Sequence, residues 1–251
     1  VSTGTAGTEE VRRLNDELER QVRELDAFAY SVSHDLRAPL RSLEGFSQIL
    51  IEEHSGRLDA EGQRYLERIQ ANVERMAEMI DALLDLSRAT RSQLRRERTD
   101  LTALAREVAS ELVASDPARG VRFEIAEGLV APGDPHLIRL VLQNLLGNAF
   151  KFTARRVAAV IAVGVEDQDG VDVFVVSDNG AGFEMGHAER MFDPFQRLHA
   201  TGEFEGTGVG LAIVRRIVTR HGGRITADGS PGEGAAIRFS LAPGPSGWTI
   251  R

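Results

Sequence analysis

In the stretch SVSHDLRAPLRSLEGF, residues 31–46, a histidine stands beside an aspartate and five residues ahead of a proline. A neutral imidazole is a competent nucleophile or proton carrier near pH 7. Val32 and Leu36 lie two residues to either side of His34, so on a helix the ring faces away from an apolar stripe running through them. Pro39 has no N–H for the carbonyl of Asp35 and crowds it, which predicts a helix kinked just after the histidine. Alone, an exposed histidine is usually an ordinary surface residue.

A second group sits in QNLLGNAFKFT, 143–153, where Asn144, Asn148 and Lys151 fall at spacings of four and three on one helix face. Paired asparagines commonly just decorate a helix surface. Here the lysine argues otherwise, because it is the only one among 30 basic residues. Further on, DNGAGF at 178–183 ends an apolar run, VDVFVVS; its first three residues are a turn signal, and Gly180 and Gly182 permit close backbone approach. MFDPFQRL at 191–198 carries two phenylalanines, a spacing usual in a core. In GTGVGLAIVRRIV, 206–218, three glycines precede an amphipathic pattern, and the free N–H groups at a helix start can cradle phosphate. A dinucleotide-fold reading fails for want of the βαβ context and its acidic residue.

The elements that must position these residues divide into two segments. Apolar residues at Val11, Leu14, Leu18, Leu25, Phe28 and Val32 form a coiled-coil stripe, whose spacing shifts through Leu36 and Leu40 before Leu43 restores it. A second stripe, Leu66, Ile69, Val73, Met76, Ile80 and Leu83, follows a break at HSGRLD, with Asp59 as its N-cap. Two such helices make a hairpin with an uncovered apolar seam, and pairing two hairpins into a four-helix bundle predicts a homodimer through residues 9–92. Five arginines between Arg88 and Arg98 read as a solvated helix end in preference to a docking patch. Beyond Thr99 the pattern predicts helices at 102–115, 134–152 and 208–221. Strands are predicted at 121–126, 129–132, 157–166, 171–177, 224–228 and 235–241. That is an α/β sandwich with a mixed sheet. The domains expected are a flexible lead at 1–8, a helical hairpin at 9–98, an α/β domain at 99–241 and a tail at 242–251.

Totals narrow the class. A net charge of −8 opposes a broad nucleic-acid-binding face, and no apolar run reaches the length of a membrane span. The absence of cysteine excludes disulfides and thiolate metal sites and fits a reducing cytoplasm, where the chain is expected. It begins at Val1 with VSTGTAGT, so an upstream input module is expected to lie outside it.

SHDLRAPL resembles the H-box of the sensor histidine kinases of two-component systems, and residues 99–241 resemble their Bergerat-type ATP-binding domain. The resemblance implies that His34 is the phosphate acceptor and Asp35 the neighbour that orients it and takes its proton. It implies ATP and Mg²⁺ as cofactors. Asn148 would hold the metal, Asn144 and Lys151 the phosphates, and Asp178 the adenine amine. Arg197 would reach the γ-phosphate from a lid anchored by Phe192 and Phe195. Phe152, Gly180, Gly182, Gly206, Thr207, Gly208, Gly210 and Leu211 belong to the same nucleotide-binding motifs. A response-regulator receiver domain is the implied partner, receiving the phosphoryl group on an aspartate. Residues 31–46 also look similar to phytochrome-associated kinases.

Two departures matter. The family commonly has threonine or asparagine four residues after the histidine, linked to dephosphorylating the partner; here it is Ala38, which cannot position a water. ATPases of the gyrase, Hsp90 and MutL type share the fold but carry a glutamate where this chain has Asn144, and an amide is a poor general base. A catalytically inactive nucleotide-binding scaffold is the remaining alternative.

Overall fold

The computed structural model describes residues 3–91, 94–188, 190–196 and 207–242. They form two compact units divided between Arg91 and Ser92.

The first unit is a helical hairpin. Helix α1, Thr3–His54, continues through Pro39, and α2 spans Ala60–Arg91 after a 3-10 turn at Ser55–Arg57. Helix α1 therefore begins at Thr3, inside the lead expected to be flexible; that lead holds no proline, and an isolated glycine costs a helix only about 1 kcal/mol. Asp59 caps α2 as expected, its carboxylate accepting from the Gly62 N–H at 2.7 Å.

The expected stripes split in two. Ser33, Leu40 and Ser47, seven residues apart, are the buried positions of α1 among the described residues, and they answer Leu66, Val73, Ile80 and Leu84 of α2. Leu40, Val73, Ile80 and Leu84 form one apolar cluster. Val32, Leu36, Leu43, Ile69 and Met76 were expected in the buried stripe, yet they are exposed on this chain, Ile69 at 48% and Met76 at 47%. One side of each stripe closes the hairpin and the other is left uncovered. Phe46, 67% exposed, extends that open side. The side chains of Val11, Leu14, Leu18, Leu25, Phe28 and Leu83 lie outside the described residues.

In the second unit a five-stranded mixed sheet runs in the order β2-β4-β5-β7-β6. Its strands are β2 (Val121–Ile125), β4 (Ala159–Gln168), β5 (Val171–Asp178), β6 (Ile225–Ser230) and β7 (Gly234–Phe239). Only β2–β4 is parallel; the other pairs are antiparallel. An Asp169–Gly170 turn, both residues at positive φ, joins β4 to β5, the two-residue hairpin turn such a pair favours. Helices α3 (Leu101–Ser115), α4 (Pro135–Phe152) and α5 (Gly210–Arg220) form the other layer, with α4 packed against both neighbours. This is the expected sandwich.

One strand was not expected. β1, Glu97–Asp100, pairs antiparallel with β3, Val130–Gly133, so the end of the arginine run belongs to a sheet. Of the five arginines, Arg95, Arg96 and Arg98 lie beyond the end of α2. The division between units therefore falls ahead of the boundary expected after residue 98, because Glu97 and Arg98 pair with Gly133 and Pro132.

His221 ties the two site-bearing helices together. It is fully buried, its Nε2 accepts from the Asp134 N–H at 3.1 Å, and its Nδ1 faces the Ile217 carbonyl at 2.8 Å. That pairing requires the neutral ring with the proton on Nδ1. Burial pushes its pKa down, which keeps the ring neutral. Asp134 in turn caps α4, accepting from His136 and Leu137 ahead of a Pro135 that has no N–H to satisfy. Arg96 reaches back to donate to the His221 carbonyl at 2.7 Å.

Candidate functional site

Helix α4 buries pairs of residues at 137–138, 141–142, 145–146 and 149–150, a stripe with the helical period. Asn144, Asn148 and Lys151 run along its half-buried flank. Lys151 Nζ donates to Asn148 Oδ1 at 3.2 Å and stands 4.4 Å from the Phe152 ring centroid. Asn144 Nδ2 donates to the Leu140 carbonyl at 2.8 Å. The last turn is clamped from outside by Arg119, which donates to Phe150 O and Thr153 Oγ1 and lies 4.0 Å over the Phe150 ring.

Strand β5 delivers Asp178 at its end. The Asp178 carboxylate accepts the Gly180 N–H at 2.7 Å. Burial pushes its pKa up to about 6, against the opposing pull of the Gly180 and Ala235 N–H groups and the Arg156 charge. Asn179 fixes the turn: its Oδ1 accepts from Val160 N at 2.9 Å and its Nδ2 donates to Ala158 O at 2.8 Å. The Ala181 N–H donates to Phe152 O at 3.1 Å, so this loop is sewn to the end of α4. Gly182 has φ +64°, and a Cβ there would lie 1.9 Å from Ser230 O, so only glycine fits.

The start of α5 completes the group. Gly210 approaches so closely that a Cβ would lie 2.4 Å from Asn144 Oδ1. Thr207 Oγ1 accepts from Val209 N at 3.4 Å, and Leu211 packs on the cluster of Phe183, Ala188, Met191, Phe192 and Ala227. The Gly208 carbonyl accepts from Phe195 N at 2.9 Å. Phe192 is buried in that cluster. Phe195, expected to anchor beside it, is instead 59% exposed at φ +64°, a conformation a bulky residue rarely adopts, because the chain turns there to meet Gly208. Arg197 and Gly206 lie outside the described residues.

Three segments thus converge: the flank and end of α4, the loop after β5, and the start of α5. Together they present an amide pair, an ammonium, a half-buried carboxylate and a helix N-terminus. This set suits a nucleotide, with the helix start and lysine for phosphate and the carboxylate for a base. Asn148 Oδ1 already accepts from one cation, and no cluster of three or more carboxylate or histidine ligands occurs among the described residues. A single amide oxygen fits Mg²⁺ carried largely by phosphate and water.

In the hairpin, the backbone of His34 belongs to α1 and its side chain lies outside the described residues. Its neighbours are described. Ser33 is fully buried with no hydrogen-bond partner for its hydroxyl among the described residues, whereas Asp35 and Ala38 are exposed. Arg37 pairs with Asp81 of α2 at 2.5 Å.

Residues 24–92 match the family model of the His Kinase A (phospho-acceptor) domain. Residues 133–245 match that of the histidine kinase-, DNA gyrase B- and HSP90-like ATPases. The chain belongs to the sensor histidine kinases. Cyanobacterial phytochrome B of Nostoc sp. is 36% identical over 235 residues, which are 93% of this kinase chain and 31% of the phytochrome. The methanogenesis regulatory histidine kinase FilI of Methanothrix harundinacea is 35% identical over 227 residues, 90% of this chain and 25% of that protein. Full-length ShkA, crystallised with AMPPNP, superposes with a TM-score of 0.63 at 27% identity, covering 86% of this chain and 45% of ShkA. The kinase chain thus spans about a third or less of these curated relatives.

Its second unit holds the family's ATP-binding domain. Sequence reasoning missed three residues that hold this site in shape: Asn179, Arg156 and His221. For Asn179 the signal was present, since DNG marks a turn; the two arginine-flanked residues carried none.

Proposed function

We propose that this histidine kinase binds ATP with Mg²⁺, phosphorylates itself on His34 and passes the phosphoryl group to an aspartate of a response-regulator receiver domain. A ring nitrogen of His34 forms a bond to the γ-phosphorus as the bond to the leaving ADP oxygen breaks, and the ring proton passes to Asp35. Asp178 receives the adenine amine, Asn144 and Lys151 hold phosphates, and Arg197 reaches the γ-phosphate. Gly206, Thr207, Gly208 and Gly210 bring N–H groups to the phosphates, and Phe152 and Leu211 border the nucleotide. Mg²⁺, held through Asn148, neutralises phosphate charge when bound.

The observation that carries this reading is Asn144. At the place where hydrolytic relatives of the fold have a carboxylate, its amide bonds the Leu140 carbonyl and abuts Gly210, and an amide cannot take a proton from water. The phosphoryl group then goes to a nucleophile brought from elsewhere in the protein. The test is incubation with γ-labelled ATP and Mg²⁺ followed by mapping. Acid-labile, alkali-stable label at His34 is the expected result; ATP binding with no label favours the inactive-scaffold reading.

The uncovered apolar side of the hairpin supports a homodimer through residues 9–92. Ile69→Asp, at an exposed position, is expected to shift the chain from dimer to monomer in sedimentation equilibrium without changing the unfolding of the ATP-binding unit. A dimer unaffected by this change refutes the interface. Ala38, exposed on α1, supports weak phosphatase activity. Ala38→Thr is expected to speed loss of label from a phosphorylated receiver domain about tenfold or more, with autophosphorylation retained. Equal rates would separate that position from phosphatase action. An input module preceding this chain, and a cytoplasmic setting, belong to the same reading; no helix among the described residues is long and apolar enough to cross a membrane.

A further inference from the structure

Five residues beyond Lys151 in the sequence, Arg156 stands in the turn between α4 and β4. One of its guanidinium nitrogens donates to two carbonyls on different segments: Gly180 at 3.0 Å, in the loop after β5, and Gly232, in the β6–β7 turn. The Gly232 N–H in turn donates to Ala181 O at 2.6 Å. Gly180 is therefore gripped at both ends, its N–H by the Asp178 carboxylate and its carbonyl by Arg156. There is no slack around it: a Cβ on Gly180 would meet Phe152 O at 2.6 Å, and one on Gly234 would meet Asp178 O at 2.0 Å. Moving the Gly180 carbonyl away from Arg156 moves the N–H that orients Asp178.

We infer that Arg156 is a positioning residue for the purine base, holding the Asp178–Gly182 loop against the β6–β7 turn so that Asp178 presents its carboxylate to the 6-amino group. This rests on the assignment of Asp178 as the adenine acceptor. A charged donor shared by two carbonyls is stronger than a neutral one and holds their separation as well as their direction. Its charge also opposes, in small part, the protonation of Asp178 that burial promotes.

The experiment compares binding of ATP and of purine riboside triphosphate, which has hydrogen in place of the 6-amino group, to the full chain and its variants. In the wild type, ATP binds about tenfold or more tightly than the analogue, the worth of a hydrogen bond to a charged acceptor. In Arg156→Ala that preference collapses toward one, because ATP weakens and the analogue does not. KM for ATP rises while turnover at saturating ATP stays within about twofold. Arg156→Lys, which keeps a cation with hydrogens for two carbonyls, restores part of the preference. A variant that keeps the full wild-type preference overturns the proposal. So does equal weakening of both nucleotides accompanied by a lower Tm, the signature of a purely structural clip. Absence of any preference in the wild type instead overturns the adenine assignment of Asp178, and the proposal with it.

Discussion

Replacing His34 by glutamine is expected to abolish labelling by γ-labelled ATP while leaving ATP affinity at its wild-type value. Glutamine is similar in polarity and is a better helix former than histidine, so helix propensity at position 34 does not fall with the change. It lacks a ring nitrogen with an available lone pair, and its amide nitrogen is not nucleophilic. ATP affinity is expected to be spared because every residue proposed for the nucleotide site falls in the second of two compact units, 92–251, whereas position 34 lies in the first. Filter binding of labelled ATP beside an autophosphorylation time course checks both halves. Wild-type labelling of the His34→Gln chain would remove His34 as acceptor, and loss of ATP binding would mean that the units are not independent.

Asp178→Asn separates stability from binding in the nucleotide-free protein. With its pKa pushed up to about 6 from an ordinary 3.8, Asp178 prefers to be protonated in the fold. The stability it contributes is fully present below pH 4 and is lost as pH rises through about 6. Above pH 7 the wild type therefore carries the whole cost of a buried ionised carboxylate, about 3 kcal/mol. Asparagine keeps an oxygen for the Gly180 N–H and never ionises. The variant is expected to be the more stable protein at pH 8, by up to about 3 kcal/mol, with the difference vanishing as pH falls toward 4. It is also expected to bind ATP at least about tenfold more weakly, because a neutral acceptor replaces a charged one. Wild-type affinity should rise with pH through about 6, and the variant's should not. Denaturant unfolding and ATP titrations at pH 5, 6.5 and 8 test this; a variant less stable than wild type at pH 8 refutes the ionisation cost.

Why was so much of the candidate site's geometry legible in the sequence? The α4 face was readable because helical period alone aligns residues 144, 148 and 151, and one lysine in an arginine-rich chain marks a place where a point charge is wanted. The glycines were readable because close approach leaves no other residue possible, as at Gly182. The hairpin seam was only half readable: a stripe with three-four spacing does not say which of its two sides faces the partner helix, and small Ser33 and Ser47 took buried positions one step from the exposed Val32 and Phe46. β1 was hidden because ERTD is polar and short, and its order comes from a partner thirty residues on. Arg156 and His221 were hidden for the same reason in sharper form. Both act on backbone atoms distant in sequence, and no local pattern records that.

Those distant bonds give the two units different clocks. Side-chain bonds that close the hairpin join residues 22 and 44 apart, Gln48 with Gln70 and Arg37 with Asp81. In the second unit Arg96 must wait for His221, 125 residues later. Local closures are fast and long ones are slow, and a chain is synthesised from its N-terminus. During biosynthesis the helix bearing His34 is complete while the domain that would supply its phosphoryl group still lacks the residue that joins α5 to α4. The helix bearing position 34 is made first, and the second unit cannot close its tie between α4 and α5 until residue 221 has left the ribosome.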